Sequence, residues 1–461
     1  MKKILTIFIA ILLFIPMVSG QEEESSDKKE RAKSDSVKTG WTFVPIPSTS
    51  YNRDIGFQYG AIVNFYNFGD GSRYPLYDHS LYFEYSRTTK GSGIAQFQYD
   101  SDRLIRGIRT ALELNYLTEQ GLDFYGFNGY QSLYNHAFEN DKDASYISRM
   151  FFRQERKMIR IRTDFSGNII EKKLKWFGGI EFYNNKIDTV NIDKLNKGKS
   201  EEEKLPYVKG GLYGLYANDW NLLPPDEING GNHTLLKAGV IYDTRDNEPN
   251  PMRGIWTEAI FVIAPSFLSN RDLSYGKLVL THRQYFTIIP RSLNFAYRLS
   301  YQGKIFGDMP SYMLPFVFNS PPNKTRDGLG GKNTTRGVLR NRVVGEGYFY
   351  GNLELRWKFT DTRLLNQNFY IALSVFLDGG MVTQQYEVNT ANVPGTILLN
   401  NKTYSNSDFF SNEDEKPHFG TGSGLHFAVN ENFIVALDFS FAFDPDKDGG
   451  WAPYIGLDFL F

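Results

Sequence analysis

From about residue 40 onward, apolar and polar side chains alternate with a period of two. That is the spacing of strands whose two faces meet different surroundings. The clearest run is 432–444, where Phe433, Val435, Leu437, Phe439, Phe441 and Phe443 fall on one face. Ala436, Asp438, Ser440, Ala442 and Asp444 fall on the other. Segment 349–359 repeats the pattern, with Phe349, Leu353, Leu355, Trp357 and Phe359 opposite Asn352, Glu354, Arg356 and Lys358. In 369–380, Phe369, Ile371, Leu373, Val375 and Leu377 oppose Tyr370, Ala372, Ser374, Phe376 and Asp378. In the last segment Ile455, Leu457, Phe459 and Phe461 share the apolar face. In water, such faces would invite aggregation. Facing lipid around a polar lumen, they are required.

Before a long Gly- and Asn-rich loop the pattern predicts strands at 40–47, 54–67, 77–89, 91–101, 105–117, 147–165, 170–186, 232–244, 253–266, 271–288 and 291–306. After it come 345–360, 366–381, 416–429, 432–445 and 451–461. Eleven and five make sixteen, an even number, as a single-chain bacterial barrel needs. The four longest connections, 118–146, 187–231, 307–344 and 382–415, all join an odd strand to an even one, whereas even-to-odd connections such as 289–290 and 430–431 are short. Long connections therefore collect at one end, the external one if the N-terminus is periplasmic. The first segment carries Pro45 and Pro47, which cannot donate to a ladder and belong at a sheet edge. The expected fold is all-β: a transmembrane antiparallel β-barrel of about sixteen strands with a long external loop folded into the lumen.

Composition agrees. Aromatic residues make up 16%, with 29 Tyr and 37 Phe, yet mean hydropathy is −0.40. Aromatic girdles on an apolar outer face, averaged with a polar lumen, give both values. Lys2 and Lys3 followed by an apolar stretch over 4–18 and Val18-Ser19-Gly20 read as a signal peptide over 1–20. That stretch is shorter than the ~20 residues of a spanning helix. Residues 21–39 read as a short charged tail and 40–461 as the barrel. The chain has no cysteine, which excludes disulfides and thiol catalysis. A net charge of −1 gives no field that recruits nucleic acid.

In the 307–344 loop, Gly328, Gly330 and Gly331 precede Thr335-Arg336-Gly337-Val338. Glycines let a backbone fold back on itself, and an arginine at the tip can fork onto carboxylates. Glu354 and Asp378, on the next two strands, face the same polar side. A second motif, Tyr242-Asp243-Thr244-Arg245-Asp246-Asn247 followed by Pro251 and Gly254, sits in an even-to-odd turn.

Together these residues resemble the BamA/TamA-type (bacterial surface antigen) barrels of the outer membrane. There, an Arg-Gly-aromatic loop tip between strands eleven and twelve packs inside the barrel against an acid on strand thirteen. The resemblance covers 40–461 and implies a lumenal latch of Arg336, Gly337, Glu354 and Asp378. It also implies a periplasmic turn motif of Asp243, Arg245, Asp246, Asn247 and Gly254, and a C-terminal barrel signal of Leu457, Phe459 and Phe461. Val338 stands where the family's aromatic is expected, and the chain given leaves no room for the family's periplasmic POTRA repeats. The resemblance further implies the outer membrane of a Gram-negative bacterium, contact with its lipid, and a role in assembly, insertion or translocation of outer-membrane proteins without covalent chemistry. Nascent outer-membrane proteins and a separate periplasmic partner are the partners it implies. The alternative is a pore, receptor or structural barrel on the same fold.

Enzymatic readings find little purchase. The six histidines, His79, His136, His233, His282, His418 and His426, show no metal-ligand spacing and no Ser-His-acid order. Gly422-Ser423-Gly424 lacks the strand–turn–helix context of a nucleophile elbow. No catalytic residue, metal or cofactor is expected.

Overall fold

The computed structural model describes residues 37–461 except 53–55, 75, 249, 270–273, 322–326, 365–366, 430–432 and 458. The expected signal peptide and most of the charged tail lie outside the described residues. Sixteen strands form one antiparallel sheet in chain order. They are β1 (Trp41–Asn52), β2 (Gly56–Asn67), β3 (His79–Thr88), β4 (Gly93–Ile105), β5 (Ile108–Asp123), β6 (Arg153–Ile170), β7 (Leu174–Asp188) and β8 (Gly230–Asp243). They continue as β9 (Gly254–Ala264), β10 (Tyr275–Ile289), β11 (Leu293–Gly307), β12 (Gly347–Leu364), β13 (Gln367–Gln384), β16 (His418–Val429), β17 (Phe433–Ala442) and β18 (Trp451–Leu457). Between β13 and β16, β14 (Thr396–Leu399) and β15 (Lys402–Ser405) form a separate hairpin.

The sheet is apolar outside and charged inside. On β17 Phe439 and Phe441 are 46% and 51% exposed, while the alternating Asp438 and Ser440 are buried. On β12 Phe349, Leu353 and Trp357 are exposed, while Asn352, Glu354 and Arg356 are buried. A soluble core shows the reverse; exposed apolar groups facing lipid and buried polar groups facing a filled lumen are the membrane arrangement. Many of the buried charges are paired, as low dielectric favours. Arg160 Nε lies 2.5 Å from Glu181, and Lys237 Nζ lies 2.6 Å from Asp164.

The long connections collapse on one another instead of standing in solvent. Phe124 meets Tyr216 edge-on at 5.3 Å, Phe127 meets Tyr386 at 4.9 Å, and Trp220 meets Phe409 at 5.5 Å. The connections after β5, β7 and β13 thus share one aromatic cluster that caps the long-loop end. This explains the misplaced start of β6, which the alternation set at 147. Ile147, Phe151 and Phe152 are fully buried in the cap, so their apolarity serves loop packing, not a lipid face.

The first strand is longer than the 40–47 segment and pairs fully with β2, Pro45 opposite Val63 and Pro47 opposite Ala61. Both prolines therefore stand on an end strand, where a missing N–H is tolerated. β1 and β18 are the two ends of the sheet, and among the described residues no ladder joins them. β18 stops at Leu457, short of the expected end at 461.

Candidate functional site in the lumen

The connection between β11 and β12 enters the barrel and turns back at Arg336. Its tip is knotted by its own backbone: the Gly331 N–H donates to the Val338 carbonyl at 2.8 Å. The Gly330 N–H donates to Thr334 Oγ1 at 2.9 Å. Gly337 has φ +93, and a Cβ there would sit 2.5 Å from the Phe441 carbonyl. A Cβ on Gly420 of β16 would collide with the carbonyl of Arg336. Two glycines, one on the tip and one on the wall, therefore let backbone lie against backbone.

Arg336 is fully buried. Its backbone N–H and its Nε both donate to Asp378 Oδ2, at 3.0 and 2.8 Å, and Nη2 donates to Asp378 Oδ1 at 3.2 Å. Nη2 also reaches Glu354 at 3.4 Å, and Nη1 reaches Asp438 at 3.1 Å. The guanidinium carbon stacks 3.4 Å from the ring centroid of Phe376, a cation–π contact in a desolvated setting. Register explains the convergence. Asp378 on β13 pairs with Asn352 of β12 and Gly420 of β16, and Gly424 of β16 pairs with Asp438 of β17. Three strands, β12, β13 and β17, thus aim three carboxylates and a ring at one point, and β16 between the last two carries only glycines there. Asn352 Nδ2 also donates to the Thr334 carbonyl at 2.6 Å. Val338 is fully buried and packs with Leu329, Val343, Tyr348 and Tyr350.

The turn between β8 and β9 is also built from its motif residues. Arg245 Nε donates to Asp243 at 3.0 Å, and its guanidinium lies 4.3 Å from the Trp256 ring. Asp246 Oδ1 accepts from the N–H groups of Met252 and Arg253 at 3.0 and 3.3 Å. Gly254 has φ +107, and a Cβ there would collide with the Thr244 carbonyl. Asn247 lies half-buried in the same turn. The turn crosses the short-connection mouth of the barrel. Arg109 of β5 clasps Glu248 with two bonds of 2.6 and 2.8 Å, and Asn250 Nδ2 donates to the Tyr370 hydroxyl of β13 at 3.0 Å. Burial pushes the Glu248 carboxyl up, but the guanidiniums of Arg109 and Arg245 outweigh it and hold it at about 2.

The last residues depart from expectation. Phe459 and Phe461 are buried, not on the outer face. The chain leaves the sheet after Leu457, breaks the two-residue alternation and turns inward, where two arginines offer it cation–π partners. The Leu457 side chain lies outside the described residues.

Sequence reasoning placed Arg336, Gly337, Glu354 and Asp378, and the structure brings them together. Asp438 was on the polar face of its strand but was not joined to them; its inward parity was the available signal. Gly420 gave no signal, because only the position of the loop tip makes a side chain there impossible. Glu248 and Arg109 are 139 residues apart in sequence, and no local pattern links them.

A sixteen-stranded antiparallel sheet, apolar outside and charged inside, with a loop arginine seated on wall carboxylates, defines a transmembrane β-barrel with an internal loop. The model of the Omp85 superfamily domain matches residues 226–459, and the chain belongs to that superfamily. Among solved structures, CdiB from Escherichia coli is similar at 10% identity and a TM-score of 0.51, over 91% of this chain and 62% of that one. BamA from Haemophilus ducreyi lacking POTRA domains 1-3 gives 14% identity and a TM-score of 0.48, over 91% of this chain and 70% of that one. CdiB from Acinetobacter baumannii gives 12% and 0.44, over 91% and 59%. The chain thus spans less than two thirds of either CdiB structure. No curated protein sequence matches it.

Proposed function

We propose that this barrel resides in the outer membrane of a Gram-negative bacterium and assists the assembly, insertion or translocation of other outer-membrane proteins. The observations that carry this reading are the superfamily match over residues 226–459 and the internal loop seated by Arg336 on the wall carboxylates. An incoming strand pairs its main chain with the β1 edge, gaining hydrogen bonds without covalent chemistry or a cofactor. Arg336, Gly337, Glu354 and Asp378, joined by Asp438, act as a latch that holds the loop inside and braces the wall from β12 to β17, next to the opening. The turn of Asp243, Arg245, Asp246, Asn247 and Gly254 shapes the periplasmic mouth, where a separate periplasmic partner docks. A large passive pore fits poorly, since loop side chains fill the interior.

The test is depletion of the protein followed by quantitative outer-membrane proteomics. Broad loss of barrel proteins is the expected result. Loss of one uptake trait with the barrel complement intact would assign the protein to the receptor or pore class.

A further inference from the structure

Three hairpins at the short-turn mouth end in the same device. Leu104-Ile105 precede Arg106-Gly107, Ile169-Ile170 precede Glu171-Lys172-Lys173, and Ile288-Ile289 precede Pro290-Arg291-Ser292. In each, the register slips just before the turn, so that the leading strand carries residues its partner lacks. The second aliphatic then closes the hairpin against another: Ile105 on Ile108, Ile170 on Leu174 and Ile289 on Leu293. A regular strand would hide one of two consecutive residues. Here the bulge re-aims them, and both members of all three pairs are between 43% and 60% exposed.

Beyond each aliphatic pair stands an exposed cation, Arg106, Lys172 or Arg291, and the turn between β8 and β9 adds the exposed Arg253. These are four successive short turns along the sheet, from β4 to β11. Among the described residues none of the four cations forms an ion pair, whereas neighbouring carboxylates are taken: Asp102 by Arg73, Glu171 by Lys173, Asp243 by Arg245 and Glu248 by Arg109. Arg291 is also held against its backbone preference. It has φ +63 and follows Pro290 in a turn closed by the Ser292 N–H on the Ile289 carbonyl at 3.1 Å. That position favours glycine, yet it carries a charge.

An unpaired cation above an exposed aliphatic pair matches a phosphate above acyl chains, and cations near a membrane surface attract anionic headgroups. The repetition points the same way. A lipid leaflet offers the same phosphate and alkyl groups at every turn of an arc, whereas a protein partner offers them in one footprint. Resting on the proposed membrane placement, we propose that the rim of Arg106, Lys172, Arg253 and Arg291 binds the phosphates of anionic glycerophospholipid in the leaflet at the short-turn mouth. The aliphatic pairs lie beside the first acyl carbons and hold this arc of the barrel at the headgroup level.

The test reconstitutes the full-length protein in phosphatidylcholine bilayers and compares how strongly spin-labelled phosphatidylglycerol and spin-labelled phosphatidylcholine are immobilised at its surface. Wild type should favour phosphatidylglycerol by about fivefold, the effect of one Lys or Arg beside one headgroup, and high salt should reduce the preference. The Arg106→Gln/Lys172→Gln/Arg253→Gln/Arg291→Gln variant should lose it. Removing as many cations at the opposite end, with Lys90→Gln/Lys142→Gln/Lys194→Gln/Lys197→Gln, should leave it intact. Equal immobilisation of the two lipids by wild type would overturn the proposal, as would equal loss from both variants. Because wild type alone decides the first comparison, misfolding of a variant cannot rescue the idea. A phosphatidylglycerol preference in a protein that does not speed the folding of other barrels would reject the assembly role and leave the rim standing. Faster folding of other barrels with no lipid preference would reject the rim alone.

Discussion

Arg336 is surrounded by more negative charge than one guanidinium neutralises: Asp378, Glu354 and Asp438 all lie within 3.4 Å of its nitrogens. Removing the arginine leaves buried carboxylates facing one another with no shared cation, and truncating one member of a buried ion pair costs about 3–5 kcal/mol. Arg336→Ala should therefore lower the urea midpoint of the folded, heat-modifiable form far more than Ala at the exposed Arg103, whose contact with Asp78 is a surface pair. Arg336→Lys should recover only part of the loss, because a single ammonium cannot fork onto three acceptors while stacking on Phe376. Midpoints of Arg336→Ala and Arg103→Ala that coincide would show that the arginine braces nothing.

At the scale of elements, the segments inside and above the barrel are legible in the sequence to different degrees. The internal loop could be read because its parts are local: glycines and an arginine at one tip, then inward acids on the following strands. The strands could be read because lipid imposes a period of two on every wall segment. The cap could not, since Phe151, Phe152 and Trp220 are apolar for the same reason as lipid-facing residues, and only the fold separates the two. The inward tail was equally hidden, because Ile455, Leu457, Phe459 and Phe461 keep the alternation of a continuing strand while the backbone leaves the sheet. The β8–β9 turn makes its own prediction. Glu248 is held at about 2 against an ordinary value of 4.5. A depressed carboxyl contributes stability that is full above its unfolded value and is lost as pH falls through the folded one. The urea-midpoint gap between wild type and Glu248→Gln should therefore be constant above pH 4.5, shrink below it and vanish near pH 2. A gap that persists unchanged at the acid end would mean that the Arg109–Glu248 clasp does not hold the turn.

For the whole molecule, the parts describe a barrel closed by its own loops at one end, crossed by a turn at the other and left with two strand ends unjoined among the described residues. Arg336 joins the internal loop to carboxylates of β12, β13 and β17, and the tail after β18 lies against the lumenal side of the wall. We propose that the unjoined strand ends serve the folding of other barrels. The most direct measurement is the rate at which a urea-unfolded barrel protein folds into liposomes containing the purified protein, followed by its heat-modifiable band. Folding should be faster than in empty liposomes, with the acceleration lost when Arg336→Ala replaces wild type. Equal rates with wild-type and empty liposomes would contradict it.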